Sequence, residues 1–77
     1  MIVIDNKVDL QVLKNFGFKK KENNWEKPLF NNKIKLTVTK TRILKYVKNE
    51  NKNINLNEIL LDNTIYDLIK NKIAIKK

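Results

Sequence analysis

The chain contains no cysteine, no histidine and no serine. Disulfides are thereby excluded, as are zinc sites built from thiolate or imidazole. The Ser-His and Cys-His nucleophile systems and every histidine general base are excluded with them. Any remaining chemistry would rest on lysines, tyrosines, threonines and carboxylates, and Asp and Glu together number only eight. The expectation is a binding protein rather than an enzyme, with no cofactor and no metal. Glycine and proline occur once each, as Gly17 and Pro28, so tight turns fall to asparagine, which tolerates positive φ better than other residues with a Cβ. Long apolar runs are missing too: Met1 to Ile4 and Ile59 to Leu61 are far short of a membrane span. Asp5 interrupts the apolar region a signal peptide would need, which points to the bacterial cytoplasm, and the missing cysteines agree with a reducing location.

What the chain has in excess is positive charge. Its 77 residues leave room for a single small domain, 1–77, and carry a net charge of +9. Lysine, asparagine and isoleucine make up 39 of the 77 positions. All three are encoded by codons rich in A and T, so an AT-biased genome would raise lysine with no anionic partner involved. The distribution says more than the total. Residues 1–18 hold two basic and two acidic side chains, residues 19–52 hold eleven and three, and residues 53–77 hold four and three. Codon bias would spread lysine evenly; a concentration in the middle points to a functional surface.

That middle is organised around residues 34–47. Ile34, Leu36 and Val38 alternate with Lys33, Lys35, Thr37 and Thr39, the period of two that marks a half-buried strand. The segment Arg42 to Val47 follows so closely that the two form either a tight hairpin or one long bent strand. Upstream, Phe18 to Glu22 and Trp25 to Phe30 are punctuated by Asn23-Asn24 and Asn31-Asn32, which predicts a β-meander. Pro28 lacks an amide hydrogen and places its strand at an edge or faces away from its neighbour.

Two helices flank this ribbon. Asp5 or Asn6 would cap the first, which runs to Phe16 with Val8, Val12, Leu13 and Phe16 as its apolar stripe. Gly17 ends it in the left-handed region, and Phe18 folds back onto Leu13. Asp62 or Asn63 would cap the second, in which Ile65, Leu68 and Ile69 form the stripe, Leu61 staples onto Ile65 and Asn71 is the left-handed terminator. Asn49 to Asn53 reads as a loop, Ile54 and Leu56 as a short strand, and Ile73 to Lys76 as a last strand. The predicted class is α+β: an antiparallel meander of about four strands with two helices packed on one face, the other face being polar and basic.

Leu13 to Lys19, together with Leu61 to Ile69 followed by Ile73-Ala74-Ile75-Lys76, resembles a pattern in small phage and prophage accessory proteins of AT-rich Gram-positive bacteria. The resemblance covers both ends and leaves the basic middle unmatched. It implies a short gene on a mobile element, a class that includes inhibitors of host defences such as anti-CRISPR proteins, and it carries over no catalytic residues. Many anti-CRISPR proteins that imitate DNA are acidic, and this chain departs from that.

The candidate binding face comprises Lys33, Lys35, Lys40, Arg42, Lys45, Tyr46 and Lys48. Tyr46 among cations has the composition of a single-strand nucleic-acid platform, although one tyrosine in a strand is also ordinary. Trp25 would suit a contact hot spot, yet a core position is the commoner fate of tryptophan. Lys19-Lys20-Lys21 fits a solvated strand end. Asp62 and Asp67, five apart, do not share a helix face and make no metal site. Three functions follow. The first is a non-enzymatic protein of a mobile element that contacts a host protein or nucleoprotein complex. The second is a nucleic-acid-binding module that uses the basic sheet face, and the third is a small assembly protein that dimerises through a sheet edge.

Overall fold

Alternation along residues 34–38 sets the architecture. The computed structural model describes residues 1–48 and 62–77. Its elements in chain order are β1 (Ile2–Ile4), the 3₁₀ helix η1 (Leu10–Phe16), β2 (Lys19–Lys21), β3 (Asn24–Leu29), β4 (Ile34–Val38), β5 (Ile43–Lys48), α1 (Thr64–Lys70) and β6 (Ala74–Lys76). The strands form one six-stranded sheet in the order β2-β3-β4-β5-β1-β6, antiparallel throughout. The chain is thus α+β, as its patterning predicts. The meander β2–β5 is widened beyond the predicted four strands because β1 inserts between β5 and β6.

Register decides which side chains meet. Leu36 lies opposite Lys27 and Tyr46, and Val38 opposite Trp25 and Leu44. Leu36 and Val38 are fully buried, and they pack in one cluster with Ile4, Leu13, Phe18, Trp25, Leu44, Leu68, Ile73 and Ala74. Leu13 from η1 and Leu68 from α1 lie in that cluster, so both helices cover the same face of the sheet. Trp25 is a core residue. At roughly 25 cal/mol per Å² of apolar surface, burying such side chains is the main stabilising term of this small domain.

The first helix differs from the prediction. In place of a helix from Asn6, Asp5 closes a turn of its own, its Oδ1 accepting from Lys7 N at 2.9 Å and its carbonyl from Val8 N at 3.0 Å. Asp9 then caps η1 through Gln11 N at 2.9 Å. With two aspartates each closing a turn, the chain winds with three residues per turn. That winding aligns Leu10, Leu13 and Phe16, whereas the 3.6-residue reading left Leu10 off the stripe.

Gly17, at φ 91, ends η1 as predicted. Gly17 N donates to Lys14 O at 3.3 Å and Phe18 N to Leu13 O at 3.2 Å, a Schellman pair whose two anchor side chains are both buried. The second helix ends in the same way, but one residue later than predicted. Asn71 keeps φ −87, and it is Lys72, at φ 61, that turns left-handed while Ile73 N reaches Leu68 O at 2.9 Å. In α1, Leu68 is buried, Ile65 partly so, and Ile69 is exposed. Thr64 supplies the remaining buried position.

Turn chemistry follows from the shortage of glycine. The β2–β3 loop is Glu22-Asn23, one residue earlier than predicted, with Glu22 at φ 56. The β3–β4 turn spans residues 30–33, with Phe30, Asn31 and Asn32 all at positive φ. Between β4 and β5, Arg42 N donates to Thr39 O at 2.9 Å and Thr39 N to Ile43 O at 3.0 Å. This is a three-residue hairpin whose left-handed position, φ 69, is filled by Arg42 where glycine is usual. Pro28 sits beyond the reach of β2, which pairs only with Asn24 to Glu26, so its missing donor interrupts no ladder on that side. The predictions for Asn49–Asn53, Ile54, Leu56 and Leu61 concern positions outside the described residues.

The two left-handed helix ends give opposite outcomes. Gly17→Ala forces a Cβ into φ 91 and to 3.1 Å from Lys27 Cε, and should cost about 1–2 kcal/mol. Lys72→Gly should stabilise by about 0.5–1 kcal/mol, the relieved left-handed strain less the entropy glycine loses on folding. Urea unfolding midpoints at unchanged slope would check both.

Candidate functional site

The pleat sorts the basic residues onto two sides. Starting from β4, register places Lys35 and Thr37 outward, away from the helices, with Glu26 and Pro28 of β3 and Lys45 and Val47 of β5. Lys19 and Lys21 of β2 join them through their pairing with Glu26 and Asn24. At the other end Val3 stands between Ile43 and Ile75 in a cross-strand aliphatic row. No described element covers this open face. It therefore presents four lysines and one carboxylate beside a strip of aliphatic side chains. The six aromatic residues of the sequence lie elsewhere: Trp25, Phe18 and Tyr46 on the helix side, Phe16 in η1, Tyr66 on α1 and Phe30 in a turn.

Within the open face, Lys35 Nζ sits 3.1 Å from Glu26 Oε2. The pair is partly exposed and contributes well under about 1 kcal/mol. Thr37, flanked in register by Glu26 and Lys45, is 4% exposed, and its hydroxyl has no hydrogen-bond partner among the described residues. A shallow cleft of about 440 Å³ crosses one end of the face between Lys21, Glu26, Lys35, Val47 and Lys48.

The seven residues of the candidate face are therefore not one surface. Lys35 and Lys45 share the open side. Lys48 has the opposite parity but borders the open-face cleft from the end of β5, and Lys40 is exposed at the β4–β5 turn. Lys33 is half-buried in the β3–β4 turn. Arg42 and Tyr46 do not lie on the open side, and each has partners within the fold. Arg42 Nη1 donates to Asp5 O at 2.8 Å and to Val8 O at 2.7 Å, fastening the hairpin to the segment that follows β1. Its backbone carbonyl accepts from Ile4 N at 2.8 Å.

Tyr46 belongs to a polar chain beneath the helices. Its hydroxyl donates to Asp62 Oδ2 at 3.4 Å. Asp62 Oδ1 accepts from Thr64 Oγ1 at 2.7 Å and from Thr64 N at 3.3 Å, and so caps α1 from one position before Asn63. Lys27 Nζ donates to Thr64 Oγ1 at 2.7 Å. Lys27 was not picked out from sequence, although its parity with Trp25 and Leu29 places it on the covered face. Its stem crosses Gly17 and its ammonium ends beside the hydroxyl that Asp62 holds. Burial first, then the charge of Asp62 and the hydrogen bond to it, push the Tyr46 hydroxyl from 10.0 to about 12.

Among the described residues no cluster of three or more acidic side chains could hold a metal, and no helix is long and apolar enough to cross a membrane. In comparisons with known proteins, no family model, no curated protein and no solved structure matches the chain.

The Tyr46 shift sets a pH dependence. Because the folded-state value lies above the ordinary one, its stabilisation is complete below pH 10 and is lost as pH rises from 10.0 toward about 12. A tyrosinate absorbance titration should show one step near pH 12 that disappears in Tyr46→Phe. That variant should also lose part of the alkaline fall in stability.

Proposed function

We propose that the protein is a non-enzymatic accessory protein of a phage or prophage that works in the host cytoplasm by occupying a surface of a host protein, in the manner of an inhibitor of a defence system such as CRISPR. The observation that carries the binding role is the open face. It sets Lys19, Lys21, Lys35 and Lys45 against the single acid Glu26, beside the aliphatic row Ile43, Val3 and Ile75. Cations next to aliphatic surface complement a protein patch that mixes acidic and apolar groups. The mobile-element setting rests on the likeness of the two ends to phage proteins.

The same face argues for protein over single-stranded nucleic acid. Sheet surfaces that bind single strands stack bases on aromatic rings, and no open-face position of the six strands is aromatic. Tyr46, the one candidate platform, is bonded to Asp62 on the other side.

Charge reversal tests the reading. Immobilised wild-type protein should retain an acidic protein from host lysate; Lys35→Glu combined with Lys45→Glu should lose it at an unchanged unfolding temperature, while Lys70→Glu on α1 retains it. Retention that ignores the reversal would overturn the assignment. So would binding to generic DNA whose affinity falls steeply with salt, the signature of phosphate neutralisation.

A further inference from the structure

A second basic site lies on the helix side. There η1, β2 and the β4–β5 turn border a cleft of about 450 Å³, whose lining includes Lys20, Lys40, Arg42, Asp9, Asn23 and Trp25. Lys20 faces this side because it pairs with Trp25, with its sequence neighbours Lys19 and Lys21 on the open face. We infer that this cleft binds the phosphoryl group of a small molecule, through Lys20, Lys40 and the guanidinium of Arg42.

Three observations carry the inference. Arg42 is held in place by two neutral acceptors, the carbonyls of Asp5 and Val8 at 2.8 and 2.7 Å, and no described carboxylate pairs with it. Its position is therefore set before any ligand arrives, its charge is uncompensated, and donors of its planar fork remain for an anion. Preorganisation of this kind removes the ordering cost that weakens contacts made by free lysines. The second observation is charge balance. Asp9 is the one acid in the lining, and its Oδ1 is already occupied by Gln11 N at 2.9 Å. Three cations against one carboxylate leave an excess that a phosphoryl group, with charge of about −1.5 to −2 near neutral pH, neutralises. A planar carboxylate would engage the fork alone, whereas a tetrahedral oxyanion offers oxygens to cations that arrive from β2 and from two positions of the turn. The third is the wall. Leu10 and Trp25 supply low-dielectric surface beside the cations, which strengthens the field at the site. Leu10 and Trp25 also offer apolar surface to an organic body carried by the phosphoryl group.

The chain has its own reporter for the test. Trp25 is the sole tryptophan and borders the cleft from its buried position, so its fluorescence serves as the readout of occupancy. At constant ionic strength, inorganic phosphate and a pentose phosphate should each produce a saturable change, the sugar phosphate at lower concentration, while chloride produces none. Lys20→Gln removes an exposed side chain and should weaken binding roughly tenfold, the usual weight of one charge-assisted contact. Lys45→Gln, on the opposite face, should leave it unchanged. A response that never saturates, that chloride reproduces, or that Lys20→Gln leaves intact would overturn the inference. Inorganic phosphate binding as tightly as the ester would overturn the organic body. The readout is independent of the open face, so failure here does not bear on the protein partner, nor loss of the partner on this cleft.

Discussion

The parity of β4 is the constraint on which everything else depends. With Leu36 and Val38 fully buried against the helices, Lys35 and Thr37 have no choice but to face outward, and pairing transmits that choice to β3 and β5 on either side. A slip of one residue would exchange the two faces at once, burying lysines and exposing the core. The parity is enforced from both neighbours, by Trp25 opposite Val38 on β3 and by Leu44 opposite Val38 on β5. It also places Lys27, a cation, on the covered side. Thr64 receives its ammonium and Asp62 holds the hydroxyl of Thr64, so the placement becomes a tie between the sheet and the start of α1.

A chain with one glycine must close its turns in other ways, and the structure shows the consequences. Among the described residues, six with a Cβ adopt positive φ: Glu22, Phe30, Asn31, Asn32, Arg42 and Lys72. For the two asparagines this conformation is nearly free; for the others it costs on the order of 1 kcal/mol each. In a small domain with a net stability of only about 5–15 kcal/mol such costs need local compensation. At Arg42 the compensation is visible, because the left-handed backbone aims the guanidinium at two carbonyls that would otherwise lack it. At Lys72 the Schellman hydrogen bond to Leu68 and the burial of Ile73 hold the conformation. Function and fold meet in the first of these, since the strain that closes the hairpin also fixes the cation of the second cleft.

Local signals in the sequence were legible where one residue type has one physical use. Gly17 is the only glycine, and it sits where a left-handed cap is needed; Ile34, Leu36 and Val38 alternate without interruption. The α+β class followed from these. Reading failed where two periods competed or where the cause lay far along the chain. Val8, Val12 and Phe16 spell a 3.6-residue stripe, while Leu10, Leu13 and Phe16 spell the three-residue one that the aspartates select. The insertion of β1 between β5 and β6 is a pairing across 40 residues or more that no short window encodes. For the candidate face, lysines could be assigned by parity on β4 and β5. Alternation also sets Tyr46 on the side of Leu44, opposite that of Lys45; Arg42 could not be assigned, because a cation in a turn gives no sign of where Asp5 and Val8 will stand.

The net charge of +9 therefore does not describe one surface. Lys27 and Arg42 are committed to holding the fold, and Lys35 is partnered with Glu26. Alternation then splits the lysine triplet of β2, sending Lys19 and Lys21 to the open face and Lys20 to the cleft beside Trp25. A codon bias toward lysine explains how such a triplet arises, but a pleated strand converts it into cations on two unlike environments. One is a sheet face bordered by aliphatics, with a cleft at one end; the other is an open hollow with a fixed guanidinium. Breadth suits a protein surface, where many weak contacts sum. A concavity with a preset charge suits a compact anion, where few contacts must each be strong. Both faces draw on the same excess of lysine, and it is the geometry around each ammonium, rather than the total, that separates what they are able to hold.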